Sequence, residues 1–427
     1  MIVLGKKVVI IDPWNEVCSK LGFEQSRFNI FDLLDPESDD LVDDALLIAD
    51  SLVPDKGSKD PFWVDEARAL VMGLVLYIAA TPTILMPTDK KTRDIPQIRR
   101  LLNLGPDAFK NFVAGEYKEN EEGELELTSP GMAQSSNEFV RNAAARILSK
   151  APKEFSSILS TAQQNTHFLE SPKIQKALSG SDFSLDELMS GNLDIYIALP
   201  ASRIFTHYRF LRLLVSTAIT AITRFPNKPQ RPVYFLLEEG AALGRMETVE
   251  TAYGLMAGYG IQLHMIVQDF NQLRSLYGDR WQTFIANSGV IQVFGTRDLF
   301  TAEYVSRLCG TTTVEALSAY SAEKRAGLVS DPDFFSRHDS VISRPLITPD
   351  EIMTLSPAQQ ILFFSNLPPI KAYKTIYFME KRYRMRNGKP LFDIHPNFAN
   401  RPLSPSFDFE KAGLPIQKIL SSIFNGK

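Results

Sequence analysis

An α/β fold with a parallel sheet, interrupted by a long all-helical stretch, is what this sequence of 427 residues predicts. Three observations carry that prediction. Short apolar runs at Lys7–Ile11, Asp194–Leu199, Val233–Leu237 and Gln262–Val267 are bounded by Gly or Pro and set among helical patterns, as buried strands of a parallel sheet are. The last two runs end in polar residues, Glu238-Glu239 and Gln268-Asp269, and the carboxyl ends of such strands face the crevice where open α/β sheets bind ligands. Between the first run and the second, residues 60–178 read as one helix after another.

Taken in order, the first strand stops at Asp12-Pro13-Trp14, because Pro13 cannot donate to a ladder. Residues Asp39–Val53 form an amphipathic helix with Leu41, Ala45, Ile48, Ala49 and Leu52 on one face. Asp60 caps the next helix, with Pro61 at its first position. Ile95–Leu102, Pro106–Val113, Ser136–Lys150 and Phe155–Phe168 continue the helical region, and the acidic, polar Glu116–Glu126 reads as a mobile loop. The α/β pattern resumes at Ser184-Leu-Asp-Glu187, a capping box closed near Gly191. The long segment Phe205–Phe225 reads as a buried helix, although Arg209 and Arg212 interrupt its apolar character. A helix over Glu247–Met256 and a turn at Gly258-Tyr259-Gly260 join the two central strands. Beyond them, Trp281, Phe284 and Ile285 share a helix face, Val290–Phe294 is a strand, and Thr301–Leu308 is a helix ended by Gly310. Ala316–Asp339 reads as a long loop, Thr348-Pro-Asp-Glu351 as a second capping box, Ile361–Phe364 and Tyr373–Phe378 as strands, and Ile416–Phe424 as a terminal helix. The resulting division is a sheet domain over residues 1–59 and 180–398, an inserted all-helical domain over 60–179, and a C-terminal extension over 399–427.

Composition narrows the functional classes. Hydrophobic residues make up 44% and charged residues 22%, as in a soluble globular protein, and the formal net charge is −4. No global basic field therefore draws the chain to nucleic acid or to an anionic membrane, although a local basic patch is compatible with that balance. The two cysteines, Cys18 and Cys309, and the five scattered histidines form no metal spacing and suit a reducing compartment. The longest apolar run, Ala69 to Thr81, is too short to span a bilayer, and no signal peptide is visible at Met1. Trp63, Tyr277 and Trp281 are read as core residues rather than base-stacking platforms.

The stretch from Phe235 to Gly295 resembles the TraG/TraD-like coupling proteins of conjugation and type IV secretion. A strand ends in paired acids at Glu238-Glu239, a helix follows, then the Gly258-Tyr259-Gly260 turn, a strand ending in Gln268, Leu276-Tyr277-Gly278, and Trp281-x-x-Phe284-x-x-Asn287. Weaker similarity runs from about Val8 to Tyr377, and Phe28–Leu34 is similar to the family's Phe-Asn-Pro-Leu segment, with Ile30 at the proline. The resemblance implies a RecA-like P-loop NTPase sheet domain, here truncated at its N-terminus, with an inserted all-helical domain associated with substrate recognition. It implies ATP and magnesium as cofactors, Glu238 at the magnesium shell, Glu239 activating the attacking water, and Gln268 sensing the γ-phosphate or orienting that water. It also implies a hexameric motor that brings a relaxase–DNA complex or an effector to a secretion channel. Single-stranded DNA is then a further ligand, and the location is cytoplasmic, peripheral to the inner membrane through partners.

Three departures from the family point to weak or absent hydrolysis. The pattern G-x-x-x-x-G-K-[ST], which cradles the phosphates, is missing: Gly5-Lys6, Gly388-Lys389 and Gly426-Lys427 are not followed by Ser or Thr. Glu238 stands where the family carries Asp, which shifts the carboxylate by about an ångström against a shell that demands near-octahedral geometry. Ala257 stands where the family turn carries a candidate arginine finger, a group worth roughly 10³–10⁵ in rate. Two alternatives follow. One is the C-terminal half of a split coupling ATPase, completed by an upstream polypeptide with the Walker A loop and membrane anchor. The other is a non-catalytic substrate adaptor working through residues 60–178. An FtsK- or HerA-like translocase is disfavoured by the helical insertion and by the Leu-Tyr-Gly and Trp-x-x-Phe block.

Overall fold

A computed structural model of the chain describes residues 6–54, 61–81, 92–119, 125–318, 338–375, 385–386 and 389–390. The chain forms two compact units, residues 1–267 and 268–427. The expected cap at Asp60 and the helix at Ile416–Phe424 lie outside the described residues, and the strand expected over Tyr373–Phe378 forms earlier, over Ile370–Tyr373, where it pairs with the strand at Gln359–Phe364.

The first unit opens with strand β1 (Lys7–Ile11), a single helical turn α1 (Cys18–Leu21), and α2 (Leu41–Leu52), whose apolar face is buried at the five positions the periodicity predicts. Helix α3 (Pro61–Ala80) is the centre of the helical region, burying Leu70, Val71, Leu74, Val75 and Ile78 against its neighbours. Around it stand α4 (Ile95–Leu102) and α5 (Pro106–Ala114), then α6 (Glu138–Leu148) and α7 (Pro152–Thr166), and finally α8 (Pro172–Leu178). Asp94 caps α4 by accepting from Gln97 N, as Asn137 caps α6. Helix α3 packs on α2, α6 and α7. It approaches α6 so closely at Gly73 that a Cβ there would stand 2.8 Å from the Ala143 methyl, so only glycine fits.

One part of this region is not helical. Residues Glu116–Glu119 (β2) and Leu125–Ser129 (β3) pair antiparallel, where the sequence predicts a loop. The segment is charged and lacks clean alternation, so the backbone ladder between α5 and α6 leaves little trace in side-chain pattern.

Strand β4 (Leu193–Ile197) runs parallel to β1, from Lys7 opposite Leu193 to Ile11 opposite Ile197. The capping box at Ser184 is present, though it starts a 3-10 helix rather than an α-helix, and Gly191 closes it in the left-handed region. Helix α9 (Ala201–Arg224) follows, bent at His207, where φ is −120° and ψ 18°. Then come β5 (Val233–Leu237), α10 (Glu247–Leu255) and β6 (Ile261–Met265), with β5 and β6 parallel and in register from Val233–Ile261 to Leu237–Met265.

The second unit holds α11 (Phe270–Tyr277), α12 (Gln282–Ala286), β7 (Val290–Val293) and α13 (Leu299–Cys309). Strands β8 (Thr311–Ser318) and β9 (His338–Pro345) pair antiparallel, which replaces both ends of the predicted long loop with strand. After α14 (Pro349–Met353), whose capping box at Thr348 is formed, β10 (Gln359–Phe364) pairs antiparallel with both β7 and β11 (Ile370–Tyr373). Phe270, Trp281 and Tyr304 pack ring to ring, and Tyr277 meets Phe284 at 4.4 Å, so the aromatic motif residues serve the core of this unit. Among the described residues no helix is long and apolar enough to cross a membrane, and Cys18 and Cys309 are buried free thiols.

Candidate functional site

Glu238 and Glu239 follow directly on Leu237, the last residue of β5, and both carboxylates are exposed. The backbone ladder continues past the strands at this point: Ile266 N donates to Leu237 O at 3.0 Å, and Gly240 N to Ile266 O at 3.2 Å. The residues that follow β5 and β6 therefore leave the pair at the same end. Gly240 is required here, since a Cβ would lie 2.3 Å from Met265 Cγ on β6. With no side chain at 240, the chain turns tightly after the acids and continues as a 3-10 helix over Gly240–Leu243, with Ala242 N donating back to Glu239 O.

Two further groups fix this turn, and neither is evident from the sequence pattern. Arg212 of α9 is almost wholly buried and donates to the carbonyl oxygens of Leu243, at 3.1 Å, and of Arg245. A guanidinium suits this role because its planar fork reaches two acceptors while its charge stays permanent. The only signal in the sequence is that Arg212 interrupts an apolar helix. Tyr253 of α10 accepts from Met265 N at 3.1 Å, which ties α10 to the end of β6.

Gln268 stands three residues beyond Met265 and is the first residue of the second unit; its amide N donates to Gln272 Oε1 at 2.9 Å. The neighbouring Asp269 caps α11 through Gln272 N. Ala257 lies exposed in the 3-10 turn Met256–Tyr259.

Chemically, the end of β5 offers two solvent-facing carboxylates on a rigid turn. Such a pair can hold waters of a hard divalent cation and accept a proton from one of them. It does not make an all-protein cage: among the described residues no cluster of three His, Cys, Asp or Glu side chains could hold a metal. The acids thus fit a magnesium ion whose other ligands come from water and phosphate. No Gly-Lys-Ser/Thr phosphate cradle occurs in these 427 residues.

Comparison with known proteins gives this geometry a context. The profile of the family described as "Type IV secretory system Conjugative DNA transfer" matches residues 3–397. A probable conjugal transfer protein TraG of Sinorhizobium fredii (strain NBRC 101917 / NGR234) is 26% identical over 405 residues, covering 91% of this chain and 60% of that protein. The type IV secretion system-coupling protein VirD4 of Bartonella quintana (strain Toulouse) is 24% identical over 396 residues, covering 91% of this chain and 57% of that protein. The chain thus spans little more than half the length of these relatives. Among solved structures, the bacterial conjugative coupling protein TrwBdeltaN70 in its unbound form superposes with a TM-score of 0.59 at 18% identity, over 88% of this chain and 80% of that one. The plasmid coupling protein TrwB in complex with the ATP analogue ADPNP gives 0.60 over the same shares, again at 18% identity. A third structure of TrwB contains ADP and Mg2+. At these identities the superpositions establish the fold, that of a RecA-like coupling protein.

Proposed function

The chain belongs to the type IV secretory system conjugative DNA transfer family, and from that membership we propose that it is a coupling subunit that brings DNA–relaxase or effector substrates to a secretion channel. The observation that carries this reading is the acid pair on the fixed turn after β5, with β6 parallel beside it, inside a chain matched to the family along nearly its whole length. The helical segment 60–179 is the domain that recognises the substrate. Working subunits form a hexamer, as peripheral components on the cytoplasmic side of the inner membrane.

Magnesium-ATP, when bound, supplies the phosphoryl group that hydrolysis releases. In this chain Glu238 is the residue for the magnesium shell, Glu239 for accepting the proton of the attacking water, and Gln268 for orienting that water. Hydrolysis is weak or absent in the isolated chain, since the phosphate cradle, the family's aspartate and the candidate arginine finger are all missing. A phosphate-release assay with magnesium, ATP and single-stranded DNA tests this. The expected result is background release; turnover that disappears in Glu239→Gln would overturn it.

A second reading places a partner chain against the β5–β6 pair. Parallel strands are ordinarily covered on both faces. Here Tyr234, Leu236, Gln262 and Ile266 of the β5–β6 region are exposed, and the Tyr234 hydroxyl is hydrogen-bonded to His264 Nδ1. That face supports an assembled ATPase in which a partner polypeptide covers it. Co-expression with a candidate partner polypeptide should give a co-purifying complex with ATPase activity, and failure to co-purify would remove this reading. A third reading, an adaptor, predicts relaxase or effector capture that survives Glu239→Gln and needs no nucleotide.

A further inference from the structure

The guanidinium of Arg212 has two sets of partners. Its Nη1 donates to the Leu243 and Arg245 carbonyls of the turn after the acids. Its Nη2 stands 3.7 Å from Asp50 Oδ2, in the last turn of α2. The other oxygen of that carboxylate, Oδ1, lies 3.4 Å from Arg68 Nε on α3. Arg68 Nε also donates to Val53 O at 3.2 Å, the carbonyl of the residue that ends α2. Helix α2 packs on both α3 and α9, so one carboxylate joins guanidiniums from the two helices its own helix touches. An acid in the last turn of a helix faces the negative end of the macrodipole and a set of unpaired carbonyls. Helix α2 has no basic residue of its own in that turn. Asp50 is thus placed against the electrostatics of its helix, and arginines from α3 and α9 offset this.

We propose that Asp50 is a positioning residue, coupling α3 of the helical segment, through Arg68, to the turn that follows Glu238 and Glu239, through Arg212. The inference rests on the reading of those two acids as the residues for the magnesium shell and the attacking water, and deepens it by naming what aligns them. A guanidinium is a rigid planar fork, so a shift of the carboxylate on Nη2 also turns Nη1 and the two carbonyls it holds. Movement of α3 against α2, where a substrate held by the helical segment would act, therefore reaches the support of the acids. The Asp50 side chain is 46% exposed. Each of its pairs is accordingly weak, and the link biases the turn rather than locking it. If Asp50 only finished α2, its influence would end at Val53.

Hydrogen exchange of the full chain, read by mass spectrometry over peptides covering residues 240–246, tests the link without nucleotide. The amides of Ala242 and Gly244 are the probes, since they close the turn by donating to Glu239 O and Ala241 O. Asp50→Asn should speed their exchange about 1.5- to 5-fold, the range that one half-exposed ion pair covers. Asp50→Glu, which keeps the charge, should restore part of the protection. Salt at 1 M should narrow the gap between wild type and Asp50→Asn, because it screens charge and leaves packing alone. In an Arg212→Met background, Asp50→Asn should add nothing. Arg68→Met should speed exchange in the wild-type background and add nothing to Asp50→Asn, as residues of one network do. Asp65→Asn removes the other carboxylate on Arg68, 2.9 Å from Nη1, and should not speed exchange in the turn. Should Asp50→Asn fail to fold, Arg68→Met and Arg212→Met close the same cycle from the α3 side. Wild-type exchange in Asp50→Asn, additive effects in the cycle, or faster exchange in Asp65→Asn would each overturn the inference. All three would leave the reading of Glu238 and Glu239 standing, since that reading answers to phosphate release and not to exchange.

Discussion

The helical segment around α3 and the strand pair β5–β6 are both written in apolar residues, and they use them in opposite ways. In α3, Leu74 and Ile78 are wholly buried by neighbouring helices of the same chain. In β5, Tyr234 is 56% and Leu236 55% exposed, although both stand in a parallel pair that such folds normally sandwich. The helical segment is thus closed over by α2, α6 and α7, while the strand pair is closed on the face of Leu237 and Ile261 and open on the other. The open face, and the acids at its end, are where chemistry or a partner can act. The contrast makes its largest prediction in stability. Leu74→Ala should cost about 2–5 kcal/mol, the range for emptying a packed leucine site. Leu236→Ala should stay within about 0.5 kcal/mol, as an exposed position does. Urea unfolding of the two variants measures both, and equal losses would mean that the β5–β6 face is covered in solution.

The turn that follows β5 is held by Arg212, and its removal gives the next effect in size. Arg212→Met keeps the apolar stem but leaves the Leu243 and Arg245 carbonyls without their charged donor, at a cost of about 1.5–3 kcal/mol. The loss should be local as well as global. Arg245 is half-exposed, and loosening its turn should speed tryptic cleavage after it. Cleavage at the wild-type rate would show that Gly240 and the β5–β6 ladder hold the turn unaided.

What the sequence disclosed follows the same division. Helix α4 was legible to the residue as Ile95–Leu102, because its apolar residues Ile95, Ile98, Leu101 and Leu102 recur within one turn or two. The acids were legible because they end an apolar run. The hairpin β2–β3 was not, since its stability lies in backbone bonds between charged segments. Nor was the start of α9: the helix was expected from Phe205, with that ring in its buried run, whereas it begins at Ala201 and bends at His207, leaving Phe205 in water. Arg212 showed itself only as an interruption, because its acceptors lie more than thirty residues along the chain. Local signals resolve local contacts, and the site's supports are long-range.

The smallest predicted effect separates the regions by pH. On α3, Glu66 accepts from Arg146, at 2.8 Å, and is paired with Lys150 at 3.1 Å. Arg146 above all, with Lys150 behind it, holds the Glu66 carboxyl below its usual range, although burial works the other way. Arg99 likewise holds Glu170 down at the junction of α4 with the turn after α7. A carboxylate whose folded pKa is lowered stabilises the fold at pH above its unfolded value and loses that contribution as pH falls through the lowered one. Glu66→Gln should therefore reduce stability at neutral pH, by less than about 1 kcal/mol since Arg146 is half in solvent. In acid below the ordinary carboxylate range, variant and wild type should converge. Urea midpoints at the two pH values measure this. A constant gap between them would mean that Glu66 supports α3 through packing rather than through its charge, and the helical segment would then resist acid as an apolar core does.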